Sequence, residues 1–411
     1  MNPTAITRLV GAGFCASMLL WPDLAVGQPA PEKHDEPSQQ ESPAIRIPTG
    51  KTSALVIGGY AEVFYSLNFN EPSNGITNFR AFDNRHNALA LQSVVLDLGW
   101  TSRYVEARVA LQAGLAGETY YRTSEPVLAG STLTPASGPS LLRHIQQAYL
   151  VWSALPNRLV LDGGLFLSPI GPEGMATHEN WTWSHSVLFF GLPFYHLGAR
   201  IRWQPTRRHM LRIGVYNGWN NALDNNAEKS LALEYKYQPA STLTVGVTYF
   251  TGVERPANAR EGRAWRHLLD IYLVTTSLRR LAWLVNLNGG IEPNELGLSG
   301  WVAANAVLRV ELLPWLFTAA RGTLFYEARA EHNGVRADSI AIPSGRLATA
   351  SLTVEARPHG QISFKIEARY DASDRPVFFA GSVMGAGTLA SPFEPSATDQ
   401  LTLTLGATAW F

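Results

Sequence analysis

Thiols are almost absent. The 411-residue chain has one cysteine, Cys15, so it cannot form an internal disulfide or a multi-thiolate metal site. Charge is scarce as well: charged residues make up 16% of the chain, against about 25% in ordinary soluble domains. The 33 basic side chains match the 33 acidic ones. That balance leaves no basic face of the kind a nucleic-acid partner needs. Long apolar runs are missing too. Beyond the N-terminal segment there is no stretch of 18 uncharged apolar residues, which excludes transmembrane helices. No nucleophile or oxyanion-hole motif occurs, so no enzyme activity and no cofactor are expected.

The N-terminal segment has an export layout. Arg8 supplies a positive start, Leu9 to Trp21 an apolar core, and Ala25-Val26-Gly27 the small residues of a cleavage site. Residues 1–27 therefore read as a signal peptide. Phe14 occupies the position before Cys15 where a lipoprotein needs a small residue, so lipidation is not expected. Residues 28–52 are rich in Pro, Glu, Gln and Ser. They read as a disordered periplasmic tail, with too little apolar content to pack.

From residue 53 to 411 the dominant pattern has period two, the signature of strands whose side chains alternate between faces. Val105, Ala107, Val109 and Leu111 alternate with Glu106, Arg108 and Gln112. Ile362, Phe364, Ile366 and Ala368 alternate with Ser363, Lys365 and Glu367. These segments suit tilted membrane strands of ~9–11 residues or slightly more, not the 5–6 of soluble sandwiches. Sixteen of them begin near Leu55, Ala88, Arg103, Arg143, Arg158, Tyr195, Met210, Lys229, Thr242, Arg266, Leu281, Leu298, Trp315, Arg346, Gln361 and Asp399. In the second, Gln92 and Asp97 fall on opposite faces, which a β-bulge reconciles. Short connections alternate with long ones, as in outer-membrane barrels; the link after the eleventh segment is the exception. Trp100, Trp152, Trp203, Tyr237 and Trp315 mark one outward rim, and Tyr65, Tyr249, Tyr326 and Tyr370 the other. Such rims match the aromatic girdles at membrane interfaces.

The expected fold is therefore all-β: a transmembrane antiparallel up-and-down barrel of about 16 strands in the outer membrane of a Gram-negative bacterium. A barrel of that size is too wide for wall side chains to fill and holds water. By parity, the lumen wall carries Arg108, Arg200, Arg202, Arg212, Arg321, Lys365 and Arg369, with Glu62, Glu106, Glu327 and Glu367 against them. Arg200, Arg202 and Arg212 form a candidate basic ladder of the kind that sets ion preference. The third long connection, Ser168 to Phe194, is the candidate constriction, with Glu173, His178, Glu179 and His185 as its polar groups. An external lid or a subunit-contact loop would have the same composition. Asp224-Asn225-Asn226 lacks the spacing of a calcium loop and reads as a polar turn.

Several stretches resemble the β-barrel porin type 2 (OmpL-like) family. The most distinctive runs from Gly163 to Trp203 and contains Pro169-Ile170-Gly171-Pro172-Glu173, Asn180, Ser184, Ser186, Pro193, His196 and Gly198. Tyr216-Asn217-Gly218-Trp219-Asn220 and the opening strand Gly58 to Glu62 also fit, whereas His185 stands where members often have Arg. The terminal run from Leu401 to Phe411 resembles the signal read by barrel-assembly machinery. The resemblance implies a porin for passive diffusion of small hydrophilic solutes or ions, surrounded by outer-membrane lipid and lipopolysaccharide. A homotrimer is a compatible assembly. The alternatives are a loop-plugged structural or adhesive barrel and, less favoured, an outer-membrane enzyme barrel.

Overall fold

The structure is a computed structural model that describes residues 44–122, 142–222, 224–278, 280–342, 345–388 and 390–411. The proposed signal peptide lies outside the described residues, as does the proposed tail up to residue 43.

Nineteen strands are present among the described residues: β1 Ile45–Pro48, β2 Ala54–Asn68, β3 Ala88–Thr101, β4 Val105–Ala113, β5 Ile145–Leu155, β6 Leu159–Leu167, β7 Tyr195–Thr206, β8 His209–Tyr216, β9 Ser230–Ala240, β10 Leu243–Val253, β11 Trp265–Leu278, β12 Leu281–Asn294, β13 Gly297–Leu313, β14 Leu316–Ala328, β15 Glu331–His332, β16 Val335–Arg336, β17 Arg346–His359, β18 Ile362–Ser373 and β19 Asp399–Trp410. Two helices, α1 Leu115–Arg122 and α2 Val187–Phe190, sit in long connections. β15 and β16 form a small hairpin of their own. The other long strands, β2–β14 and β17–β19, make sixteen antiparallel staves, each paired with its neighbours in sequence. The first stave closes on the last, from Asn68↔Thr402 to Tyr60↔Trp410. Closure removes both sheet edges, the only way a sheet can span hydrocarbon without unpaired backbone groups.

β1 is a departure from the expected disordered tail. β19 ends before reaching the first residues of β2, which would leave one side of Ala54–Ile57 unpaired. Ile45–Pro48 takes that place, with Ile45↔Ile57 and Pro48↔Ala54 in register. The expected bulge is also present. The β2–β3 register shifts between Glu62 and Val63, which face Ser93 and Leu91, so Gln92 is the extra residue. Gln92 and Ser93 are both buried as a result, while Leu91 and Val94 face outward.

The two faces of the wall separate as the alternation requires. Leu150, Ile213, Val302, Leu324 and Leu352 are exposed on the outside. Trp100, Trp152, Trp203 and Trp315 are exposed at the short-turn rim, and Tyr249, Tyr326 and Tyr370 at the long-loop rim. Inside, long connections fold into the barrel. At the long-loop end, Phe166, Tyr216, Phe250, Leu268, Trp301 and Phe325 on the wall surround Val187, Leu188 and Leu192 of the third connection, joined by Phe79 and Phe378 from two others. The core of this protein is thus partly inside its lumen.

The candidate pore and its inserted loop

The loop Ser168 to Phe194 leaves β6 and returns as β7, whose first residues hold it in place. His196 Nδ1 donates to Gly218 O at 3.0 Å, and its other ring nitrogen lies 3.2 Å from Ser168 Oγ. Gly198 lets β8 approach: a Cβ there would sit 2.0 Å from Val215 O. These contacts give physical roles to the His and Gly of the family motif.

Within the loop, Asn180 folds the chain back on itself. It accepts from Gly174 N at 2.9 Å and donates to Gly174 O at 2.8 Å. His185 Nε2 donates to the same carbonyl at 2.8 Å. Ser186 caps α2 by accepting from Phe189 N at 3.0 Å, and Glu173 accepts from Ser186 N at 3.0 Å. Glu173 is therefore a buried organiser of the loop. It lies 3.8 Å from Arg321 and makes no pair with His178.

The far side of the loop is fastened to the wall by charge. Lys365 Nζ donates to the carbonyls of Thr177, Asn180 and Thr182 at 2.6, 2.6 and 3.2 Å. Glu367 accepts from Trp183 N at 2.8 Å and Ser184 N at 3.2 Å. Arg321 donates to Ser184 O and Ser184 Oγ, at 2.5 and 2.7 Å. Arg369 donates to Ser184 Oγ at 3.0 Å and His185 O at 2.9 Å. Glu62 accepts from Thr177 N at 2.6 Å and Gln92 at 2.8 Å. Glu327 accepts from Ile340 N, Ala341 N and Ile342 N at 2.7, 3.1 and 2.9 Å, fixing a different loop.

The eleven wall residues chosen by parity thus divide in two. Glu62, Arg321, Glu327, Lys365, Glu367 and Arg369 are buried beneath loops. Alternation correctly gives their inward direction but says nothing about what covers them. Glu106, Arg108, Arg200, Arg202 and Arg212 keep some exposure and lie on β4, β7 and β8, away from the fastened side.

The basic ladder is real but has different partners from those available in the loop. Arg202 and Arg212 stand directly opposite in register. Arg200 pairs with Asp162, and Arg212 with Glu234 at 2.5 Å. Arg108 pairs with Asp97 and donates to Tyr149 at 3.1 Å. Wall carboxylates, not Glu173, offset the ladder. Glu179 is the loop carboxylate left exposed; desolvation by the surrounding protein and the charge of Glu62 raise it to about 7, with Arg108 opposing.

Both candidate histidines are held below the ordinary imidazole range. Burial and the nearby cations Lys365 and Arg357 hold His178 at about 4. Burial lowers His185 as well. His178 stacks on Trp410 with ring centroids 4.6 Å apart. Thr177, Thr182 and Arg357 escaped sequence reasoning, and Ser184 entered it only as a place in the family-like stretch; a small hydroxyl in a loop carries no pattern that announces an anchor.

A closed sixteen-strand barrel with girdles, sorted loops and an inserted third loop is an outer-membrane porin, a channel fold. The chain belongs to the family described as "Putative beta-barrel porin-2, OmpL-like", whose model matches residues 54–411. No curated protein matches the chain significantly. Among solved structures, it is similar to the outer membrane channel DcaP of Acinetobacter baumannii at 11% identity and TM-score 0.53, covering 89% of this chain and 99% of that one. It is similar to the anion-selective porin from Comamonas acidovorans at 10% identity and TM-score 0.55, covering 87% and 100%. The trimer form of OmpT from Vibrio cholerae aligns at 8% identity and TM-score 0.55, covering 88% and 100%. These likenesses concern the fold.

Proposed function

We propose that small hydrophilic solutes and ions cross this porin between the exposed side of the third loop and the β4–β8 wall. The observation that carries this reading is that one loop carboxylate, Glu179, keeps solvent exposure and stands close enough to Arg108 to feel its charge, while crowding by the surrounding protein and the charge of Glu62 raise it to about 7. Above about pH 7, where Glu179 ionises, a negative loop face opposite the cations of Arg108, Arg200, Arg202 and Arg212 would polarise the gap, orienting dipolar solutes and biasing ions. This passage needs no cofactor and no chemistry, so we read the protein as a channel without enzyme activity. In the same reading residues 1–27 are removed on export, residues 28–43 precede the barrel as a tail, and Phe411 engages the assembly machinery. The outer wall meets lipid and lipopolysaccharide, and three copies assemble as in the OmpT trimer.

Reversal potentials in a salt gradient test the path. Glu179→Gln should move selectivity toward anions and Arg202→Ala toward cations, both more strongly in dilute salt, where screening is weak. If neither substitution moves the potential, solutes do not pass this gap. One observation favours a second reading, the loop-plugged barrel: the apolar cluster of Phe166, Leu188, Phe250 and Trp301 fills lumen space at the long-loop end. A plugged barrel would show no steady conductance at all.

A further inference from the structure

The sites where the third loop meets the wall are not spread evenly. Three of its side chains contact three successive inward-facing register pairs of β2 and β19, the junction where the first and last staves close the barrel. Glu62↔Thr408, Tyr60↔Trp410 and Phe64↔Gly406 are directly opposite across that seam. Thr177 Oγ1 bridges the first pair, donating to Glu62 at 2.7 Å and lying 2.7 Å from Thr408 Oγ1. His178 bridges the second, stacked on Trp410 at 4.6 Å and edge-on to Tyr60 at 5.6 Å. Trp183 bridges the third. Its ring lies 6.3 Å from that of Phe64 and occupies the space over Gly406, where a Cβ would come within 2.3 Å of it.

We propose that the loop is a clasp across the seam, so that barrel closure and loop docking form one coupled equilibrium. The seam is the junction with the greatest sequence separation, because residues near 60 must find residues near 408. Its loop-closure entropy is therefore the largest of the sixteen junctions. Before β19 arrives, Thr177, His178 and Trp183 have half of their contacts. Once it pairs, each bridging side chain holds both staves and opposes their separation. Whatever favours docking then favours closure by the same factor, since linkage is reciprocal. This inference does not depend on the route solutes take.

The test uses the full chain refolded in detergent, comparing wild type with a Thr177→Val, His178→Ala, Trp183→Ala triple variant. Hydrogen exchange is read separately for the β2–β19 amides and for the β4–β5 amides further round the wall. The clasp predicts at least a tenfold acceleration at the seam with little change at β4–β5. Equal acceleration at both, or none at the seam, overturns it.

If the triple variant does not assemble, a disulfide supplies the second arm. Ala61 and Ala409 are register partners on the outer face. They lie beside the pair Gly59 and Phe411, which exchange both backbone hydrogen bonds. The Ala61→Cys, Ala409→Cys pair thus falls within disulfide reach. Oxidised across the seam, it should restore assembly of the triple variant, whereas Val109→Cys with Ala148→Cys in β4–β5 should not. Failure of the seam disulfide to rescue, or equal rescue by both, overturns the clasp.

Discussion

Lys365→Met isolates what one buried charge does for the loop. Methionine keeps most of the stem and removes the ammonium, which donates to three loop carbonyls at 2.6, 2.6 and 3.2 Å. The nearest carboxylate, Glu355, keeps Arg357 at 2.7 Å and Arg309 at 3.3 Å, so no orphan anion is left. The loss falls on three acceptors under the loop. Unmet buried acceptors cost about 1–3 kcal/mol each. Relief from desolvating an ammonium returns several kcal/mol. The net loss should be on the order of 2–4 kcal/mol, and it should fall on loop docking, because the wall ladder does not use this side chain. At about 1.4 kcal/mol per tenfold, undocked states become roughly thirty to seven hundred times more frequent. Single-channel recording should show new substates and larger current noise, while the barrel remains folded by circular dichroism. Quiet wild-type currents from a folded Lys365→Met protein would refute the assignment of this lysine as an anchor.

Four further outcomes follow from particular contacts. Val109 faces lipid between Leu98 and Ala148, so Val109→Arg should impair assembly, at a cost of roughly 2–4 kcal/mol near the membrane midplane. Arg108→Ala should leave folding largely intact by heat-modified gel mobility; equal tolerance at the two sites would contradict the facing. Replacing Arg200 and Arg202 together by Ala should shift selectivity toward cations in bilayer recordings, and a shift toward anions would count against the ladder. His178 gives a pH dependence whose sign is fixed. Its folded value of about 4 lies below the ordinary 6.5, so the unfolded or undocked state binds the proton first. The His178 contribution to loop docking should be lost as pH falls from about 6.5 toward 4, read as current noise that rises more in wild type than in His178→Gln; Glu179, raised to about 7, acts in the opposite direction in both proteins. Glu327→Gln should loosen the connection it fixes through Ile340, Ala341 and Ile342, read as faster protease nicking there with the wall unaffected.

The wall was legible because a membrane strand reports its own facing. All sixteen predicted starts lie within two residues of those observed, the widest gaps being Arg103 against Val105 and Arg143 against Ile145. Even the bulge at Gln92 showed as a break in alternation. The lumen was less legible, because its occupants come from loops with no period. Parity placed Lys365 and Arg369 inward and could not distinguish a side chain facing water from one under a loop. Glu173 and Glu179 look alike in sequence, six residues apart in one acidic and aromatic stretch. The turn built by Asn180 buries the first against Ser186 and leaves the second exposed. β1 was missed for a related reason: its partner strand, not its own composition, creates the need for it.

Planar-bilayer recording of the purified full-length protein under a potassium chloride gradient shows whether the third loop and the β4–β8 wall bound a water-filled path. The expected result, recorded above pH 7 so that Glu179 is ionised, is steady single-channel conductance whose reversal potential moves in opposite directions for Glu179→Gln and Arg202→Ala. A folded barrel that carries no current would contradict it and would establish the lumen as plugged.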